Sequence, residues 1–363
     1  MARFLIASWD GGGNTPPAYH LGARLRRRGH QVGMTGWPSM AGRAAAAGLE
    51  FLTCPQLPAW PCSVAFEDDW DRLERYLFGA ACRADIVAAA KRFGPDVLII
   101  DCMLRAGFDA VRDVRLPAAG LVHVSYQGFV HEWGNQAMST AVAAMLEPCT
   151  AVIAAHPARL DSPRPMPPGH AYVGPIADPA PGTLDPHLAS TLATPGDPWL
   201  LVSLSTTTQS GQRAALTRIL GAVARLPVRA LVTLGGAVIA SDLDFPPNAL
   251  ATRYIPHELA LPHMSAVVSH AGMSTISTAL AAGVPLICAP LGRDQPGNAG
   301  RVAAAGAGLA VGQAASTSEL ADAVTAVLSD PAHARTARAI AAELRPLGSG
   351  EYATGLVEAL ASL

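Results

Sequence analysis

The stretch Ala266-Val267-Val268-Ser269-His270-Ala271-Gly272-Met273-Ser274-Thr275 decides how this chain is read. Four residues with strand character run into a histidine, a glycine and two hydroxyl residues, and a helical stretch follows. A helix N-terminus presents unpaired N–H groups and a partial positive charge, so a strand that stops at such a terminus suits a diphosphate. Gly272 permits close backbone approach, Ser274 and Thr275 add hydroxyl donors, and His270 at the strand tip can give a charge-assisted hydrogen bond to phosphate. The alternative for the same residues is an ordinary capped helix with a satisfied histidine. The segment continues apolar to Pro290, but His270, Gly272, Gly283 and Pro285 interrupt it, so a membrane span is excluded.

Working outward, the next strand is expected over Leu286 to Ala289, and Pro290-Leu291-Gly292-Arg293-Asp294-Gln295-Pro296-Gly297-Asn298 follows it. Ligands of open α/β sheets bind outside the carboxyl ends of the strands, so both segments should face one crevice. Asp294 and Gln295 suit sugar hydroxyls, although Asp294 could equally cap a helix. Upstream, Trp199 to Leu204 reads as a strand entering Ser205-Thr206-Thr207-Thr208, then a helix near Gln212 to Arg225 and a strand over Val228 to Leu234. The first half repeats this plan. Phe4 to Trp9 is a strand, Gly11-Gly12-Gly13 a loop, Pro16 to Arg28 a helix ended by Gly29, and Val97 to Ile100 and Ala119 to Val124 are further strands. Pro175, Pro179, Pro181 and Pro186 mark a linker between the halves.

Composition agrees with two cores. The chain has 363 residues, half of them hydrophobic and 15% charged, and a formal net charge of −2. Nothing there supplies a basic field for nucleic acid or an anionic membrane surface. Cys54, Cys62, Cys82, Cys102, Cys149 and Cys288 form no C-x-x-C pair, which points to reduced thiols in a cytoplasmic protein.

With these segments in place, the chain resembles the family-one glycosyltransferases, especially the bacterial natural-product type. The resemblance rests on Val202-Ser203-Leu204-Ser205, Val232-Thr233-Leu234-Gly235-Gly236, Tyr254-Ile255-Pro256-His257, His270 to Thr275, and Asp294-Gln295 with Asn298-Ala299, all in family order. It implies a GT-B fold: two Rossmann-like domains with parallel sheets facing across a cleft. It also implies that Ser205, His270, Gly272, Ser274 and Thr275 hold the pyrophosphate, that Tyr254 and Ile255 flank the base, and that Asp294 and Gln295 contact the donor sugar. Tyr254 stands where the family carries tryptophan.

The resemblance continues through Leu21 to His30, and counting back puts the family's Gly-His-x-x-Pro on Gly13-Asn14-Thr15-Pro16-Pro17. The histidine that deprotonates the acceptor is therefore Asn14, and an amide is not a base. Asp101 matches the aspartate that orients that histidine. It is expected either to act as the base, its pKa raised in an apolar cleft, or to cap the turn after its strand. Asp10, His20 and His131 are weaker candidates. Trp60 and Phe66, with Trp70, Tyr76 and Phe78, read either as a wall for an apolar acceptor or as core, with Tyr126 and Trp133 as a facing wall. Gly11-x-Gly13-x-x-Pro16 lacks the third glycine of a dinucleotide fingerprint, and Asp69-Trp70-Asp71 reads as a solvated helix start rather than a metal site.

The expectation is thus a metal-independent, inverting transferase without cofactor. It would move a sugar from a nucleotide diphosphate to a small hydrophobic acceptor. A non-catalytic sugar-nucleotide-binding homologue and a sugar-nucleotide epimerase are the alternatives. Residues 1–175 form the acceptor domain, 176–345 the nucleotide-sugar domain, and 346–363 a helix returning to the first. No nucleic-acid or membrane partner is expected, and a homodimer is the one assembly the reading allows for.

Overall fold

A computed structural model describes residues 1–57, 60–61, 64–132, 136–180 and 182–363. The chain forms two compact units. Met1–Pro179 with Leu347–Leu363 make the first, and Ala180–Pro346 the second.

The first unit is built on seven parallel strands: β1 (Arg3–Ala7), β2 (Gln31–Gly36), β3 (Glu50–Thr53), β4 (Val97–Asp101), β5 (Ala118–Val122), β6 (Ala151–Ala154) and β7 (His170–Tyr172). Their order is β3-β2-β1-β4-β5-β6-β7. Register pairs Ile6 with Met34 on one side of β1 and with Ile99 on the other. The run Val97 to Ile100 is wholly inaccessible, because helices cover both faces of a parallel sheet and every side chain along a central strand must be apolar.

The second unit repeats the scheme with β8 (Trp199–Ser203), β9 (Arg229–Thr233), β10 (Ala249–Thr252), β11 (Met264–Ser269), β12 (Leu286–Cys288) and β13 (Gly308–Ala310). The order is β10-β9-β8-β11-β12-β13, again all parallel. Each sheet therefore has a point where strand order reverses: between β1 and β4 in the first, and between β8 and β11 in the second. Chain segments leaving those strands diverge to opposite faces, and a crevice opens between them. The short edge strands β3, β7, β10 and β13 carry little apolar run and escape a pattern search.

The C-terminal helix Glu351–Ala359 belongs to the first unit. Glu351 pairs with Arg24 and Arg28, and Glu358 with Arg28 and with His30 at 2.8 Å, so it lies along the helix Thr15–Arg27. Among the described residues no helix is long and apolar enough to cross a membrane.

Candidate functional site

At the reversal point of the second sheet, β8 leads to Ser205 and β11 to His270. The helix Met273–Ala281 starts three residues later, with Gly272 as its N-cap and no capping side chain. Its first helical hydrogen bond runs from Ile276 N to Gly272 O at 3.1 Å, which leaves the N–H groups of Met273 to Thr275 for a ligand or solvent. Ala271 sits at φ 65°, a left-handed conformation that costs a non-glycine residue about 1 kcal/mol or more. Two bonds hold it there: Ala271 N donates to Ser269 Oγ at 3.1 Å, and Asn298 Nδ2 donates to Ala271 O at 3.1 Å. The same Asn298 amide donates to Asp294 Oδ2 at 2.8 Å, tying the two candidate loops together.

His270 is nearly inaccessible, and its Nδ1 has no partner. Burial drives its pKa down to about 4, against a hydrogen bond with the Ser203 backbone; Arg293 and His257 lower it further. The ring is therefore neutral at pH 7, and the expected charge-assisted bond becomes a neutral one in the free protein. A buried polar atom left unpaired costs roughly 1–3 kcal/mol, so Nδ1 gains much from an incoming partner. Gly272 makes room for this ring. A Cβ there would lie 2.8 Å from His270 Nε2 and 2.9 Å from Cε1.

Ser205 is buried, its Oγ 3.1 Å from Thr207 Oγ1. Ile255 is buried while Tyr254 stands 72% exposed, as a surface platform rather than a core ring. Asp294 is exposed. Gln295 departs from its expected role. It is 2% exposed, its Oε1 accepts from Leu291 N at 2.8 Å and Gly292 N at 3.1 Å, and its Nε2 donates to Gln209 Oε1 at 2.9 Å. A side chain so engaged shapes the loop and has little left for a sugar hydroxyl.

At the reversal point of the first sheet lies Asp101, its side chain wholly buried. Five donors converge on it. Ser8 Oγ (3.1 Å) and Asn14 Nδ2 (2.8 Å) meet Oδ2; Trp9 Nε1 (3.2 Å), Met103 N (3.0 Å) and His123 Nε2 (3.1 Å) meet Oδ1. Burial alone would raise its pKa. The His123 charge, with hydrogen bonds from His123, Asn14 and Met103, overrides this and holds the carboxyl below its ordinary value. The expected raised pKa is thus corrected: Asp101 is a saturated carboxylate, stabilised as the anion and unsuited to take a proton.

Asn14 spends both amide hydrogens, on Asp101 and on Trp9 O at 2.8 Å, and its buried Oδ1 has no partner. Gly11 makes this loop feasible, since a Cβ there would meet the Trp9 ring at 2.6 Å and Asn14 Oδ1 at 2.8 Å.

His123, the first residue past β5, was missed by sequence reading. The strand was expected to run to Val124, which hid the histidine inside it. Its imidazole is held by Asp101, and Asp101, Cys102 and His123 bring one metal-ligand-type atom each within 4.8 Å of one another. An ion there would have to displace donors from a full carboxylate, so the cluster is a poor metal site.

Of the aromatic candidates, Trp60, Phe66 and Tyr76 join a core, whereas Trp70 and Phe78 stand exposed. Trp37 stacks on Trp60 at 5.7 Å and 9°, Phe66 contacts Trp9, Trp37 and Trp60, and Tyr76 meets Trp37 at 4.8 Å. Phe66 and Tyr76 are buried, so packing rather than ligand contact is their observed role. Tyr126 is buried too, with its hydroxyl 2.7 Å from His170 Nδ1, and does not line a wall. Trp133 lies outside the described residues. Asp69 caps the helix Trp70–Phe78 and pairs with Arg72 at 3.0 Å, as a helix start does. His20 is turned to Ile176 O at 2.9 Å, and Asp10 is paired with Arg43.

Residues 217–352 match the family model of the erythromycin biosynthesis protein CIII-like C-terminal domain. Over its whole length the chain is similar to solved structures. It overlays the calicheamicin glycosyltransferase CalG4 with a TM-score of 0.78 at 23% identity, covering 99% of this chain and 98% of that one. The glycosyltransferase VinC, solved in complex with dTDP, gives 0.75 at 20% identity, covering 99% of both chains. The fold is GT-B. Among characterised sequences, 4'-demethylrebeccamycin synthase of Lentzea aerocolonigenes is 34% identical over 167 residues, 46% of this chain and 39% of that protein. The elloramycin glycosyltransferase of Streptomyces olivaceus is 38% identical over 145 residues, 38% of this chain and 37% of that one. The matched stretch thus spans well under half the length of these relatives. Each unit thus carries one candidate site, at the reversal point of its own sheet.

Proposed function

We propose that this chain is a glycosyltransferase that moves a sugar from a nucleoside diphosphate to a small apolar acceptor, with inversion and without a metal ion. The observation that carries the reading is the donor half-site. A free helix N-terminus at Met273 to Thr275, the unpartnered Nδ1 of His270 and the left-handed Ala271 meet at the reversal point of the second sheet. As the glycosidic bond breaks, the departing diphosphate gains charge, and donors fixed in advance bind it more tightly than they bind the intact donor. Such donors supply the potential that a metal supplies elsewhere. Asp294, exposed beside them, takes the sugar hydroxyls, and Tyr254 with Ile255 flanks the base. The first unit takes the acceptor. The similarity to natural-product glycosyltransferases supports a flat, hydrophobic acceptor of that class.

The test is a panel of nucleoside diphosphates and their sugars, scored by thermal stabilisation and then by product formation with aromatic and macrocyclic alcohols. A ligand at a hundredfold its Kd should add about 2.7 kcal/mol. Release of free nucleotide and a rearranged sugar without acceptor would instead indicate an epimerase. Binding without any turnover would indicate a degenerate homologue.

A further inference from the structure

We propose that His123 is the general base of the transfer reaction, standing on the opposite oxygen of Asp101 from Asn14 and replacing the histidine that position 14 lacks. The inference rests on the glycosyltransferase reading above and adds the residue that removes the acceptor proton.

The argument starts from the carboxylate. Asp101 ends β4 at the reversal point, and among the side chains on its oxygens are Asn14, from the loop after β1, on Oδ2 and His123, from the end of β5, on Oδ1. Of the two, only the imidazole can hold a proton. His123 Nε2 donates to Asp101 Oδ1 at 3.1 Å, so in the neutral ring the lone pair lies on Nδ1. An Asp that accepts from one ring nitrogen fixes the tautomer, orients the ring and stabilises the imidazolium that forms when the other nitrogen takes a proton. Asp101 is well made for that service, because four further donors hold its geometry and its charge. The His123 side chain retains 9% of its accessible surface, whereas that of Asp101 has none. Of the dyad, only the histidine side chain keeps any accessible surface.

In the step proposed, the acceptor hydroxyl gives its proton to Nδ1 of neutral His123 while its oxygen attacks the anomeric carbon. The bond from that carbon to the diphosphate oxygen breaks, and the electron pair leaves with the nucleoside diphosphate. The imidazolium, paired with Asp101, returns its proton to water after product release. Asp101 is a positioning residue in this scheme and stays ionised throughout. Asn14 also positions, holding the carboxylate from its other oxygen.

Asp101 from β4 and Cys102 from the turn after it are the titratable groups against His123. Burial lowers the His123 pKa, but Cys102 and Asp101 together raise it well above the ordinary imidazole value. The basic form is then populated only as pH climbs through that raised value. Turnover should accordingly rise with pH through and above neutrality and level off on the alkaline side.

The experiment compares wild type, His123→Gln and His123→Ala in transfer to an alcohol acceptor across pH, alongside stabilisation by the bare nucleoside diphosphate. The Gln amide can still donate to Asp101 but is no base. Expected is a rate lower by about 10²–10⁴-fold and loss of the rise with pH. Nucleoside diphosphate stabilisation should stay within about twofold, and added imidazole should restore part of the rate to His123→Ala. Transfer within about threefold of wild type, with the same rise, would overturn the proposal and leave the glycosyltransferase reading standing. So would a wild-type profile flat from about pH 5 to 9, a measurement that needs no variant to fold. A wild type that neither binds nucleoside diphosphates nor transfers sugar would remove the reading and this proposal together.

Discussion

Replacing Asp101 by asparagine tests whether the carboxylate is a base or a strut. As an acceptor of five hydrogen bonds, Asp101 offers two oxygens to Ser8, Trp9, Asn14, Met103 and His123. Asparagine keeps one oxygen and introduces two donors. If its amide nitrogen takes the Oδ1 side, Trp9 Nε1, Met103 N and His123 Nε2 all face a donor. On the Oδ2 side, only Asn14 and Ser8 do, and the Ser8 hydroxyl can turn to accept. The second orientation is favoured, and it still orphans one Asn14 N–H, since flipping that amide would forfeit its bond to Trp9 O. One orphaned buried donor costs about 1–3 kcal/mol. Removing one partner of a buried ion pair costs about 3–5 kcal/mol, less whatever His123 recovers by releasing its proton. We expect a loss of about 3–5 kcal/mol in the first unit, roughly 10 °C in Tm. Urea unfolding followed by tryptophan fluorescence reads it, because Trp9, Trp37 and Trp60 pack together in that unit.

The pH dependence of that loss has a definite sign. The Asp101 contribution is present above the ordinary carboxylate range and is lost only as pH falls through its depressed folded value. The His123 contribution is present below about 6.5 and is lost as pH rises through its raised folded value. The gap between wild type and Asp101→Asn should therefore be widest from about pH 4.5 to 6.5 and narrow in the alkaline range. A variant within about 1 kcal/mol of wild type at pH 6 would refute the strut and return Asp101 to the list of bases.

Three further outcomes are expected. His270→Asn should weaken nucleoside diphosphate binding about 5–100-fold while leaving the nucleoside alone, since the partnerless Nδ1 gains its bond from phosphate; equal losses for both ligands would refute it. The same variant should lose less stability between pH 6.5 and 4 than wild type, by about 3 kcal/mol at most, because a buried neutral histidine resists a proton that the unfolded chain accepts. Gln295→Ala should destabilise the second unit by about 2–4 kcal/mol through the orphaned Leu291 and Gly292 N–H groups, whereas Asp294→Ala should impair only use of the intact sugar donor. Calorimetric unfolding and donor titration of both variants check this, and an Asp294→Ala change that weakened the bare diphosphate equally would refute the sugar contact.

What the sequence disclosed follows from what side-chain pattern encodes. Central strands of a parallel sheet must be apolar on both faces, so Val97 to Ile100 and Val267-Val268 announce themselves. The loops after them are then located to within a residue or two. That was enough to place Ser205, His270, Asn14 and Asp101 each just past a strand, while the strand order brings Ser205 and His270 to one reversal point and Asn14 and Asp101 to the other. Hydrogen-bond saturation is not written in residue type. Gln295 reads as a sugar ligand until two backbone N–H groups are found on its oxygen, and Asp101 reads as a base until five donors are counted. Local pattern fails in the same way for Phe66 and Tyr126, because an aromatic ring suits a core and a binding wall equally.

His123 was lost through a boundary. In Leu121-Val122-His123-Val124 the apolar residues flank the histidine, so periodicity carries the strand through it, while the backbone ends β5 at Val122. Two residues of strand length decide whether the ring is one more side chain of a sheet or the first residue of a loop at the carboxyl edge. In the second case it lies where Asp101 can reach it. The tertiary contact, not the pattern, settles the boundary: the pairing of β4 with β5 sets Asp101 beside Leu121, two residues before the imidazole that its carboxylate holds.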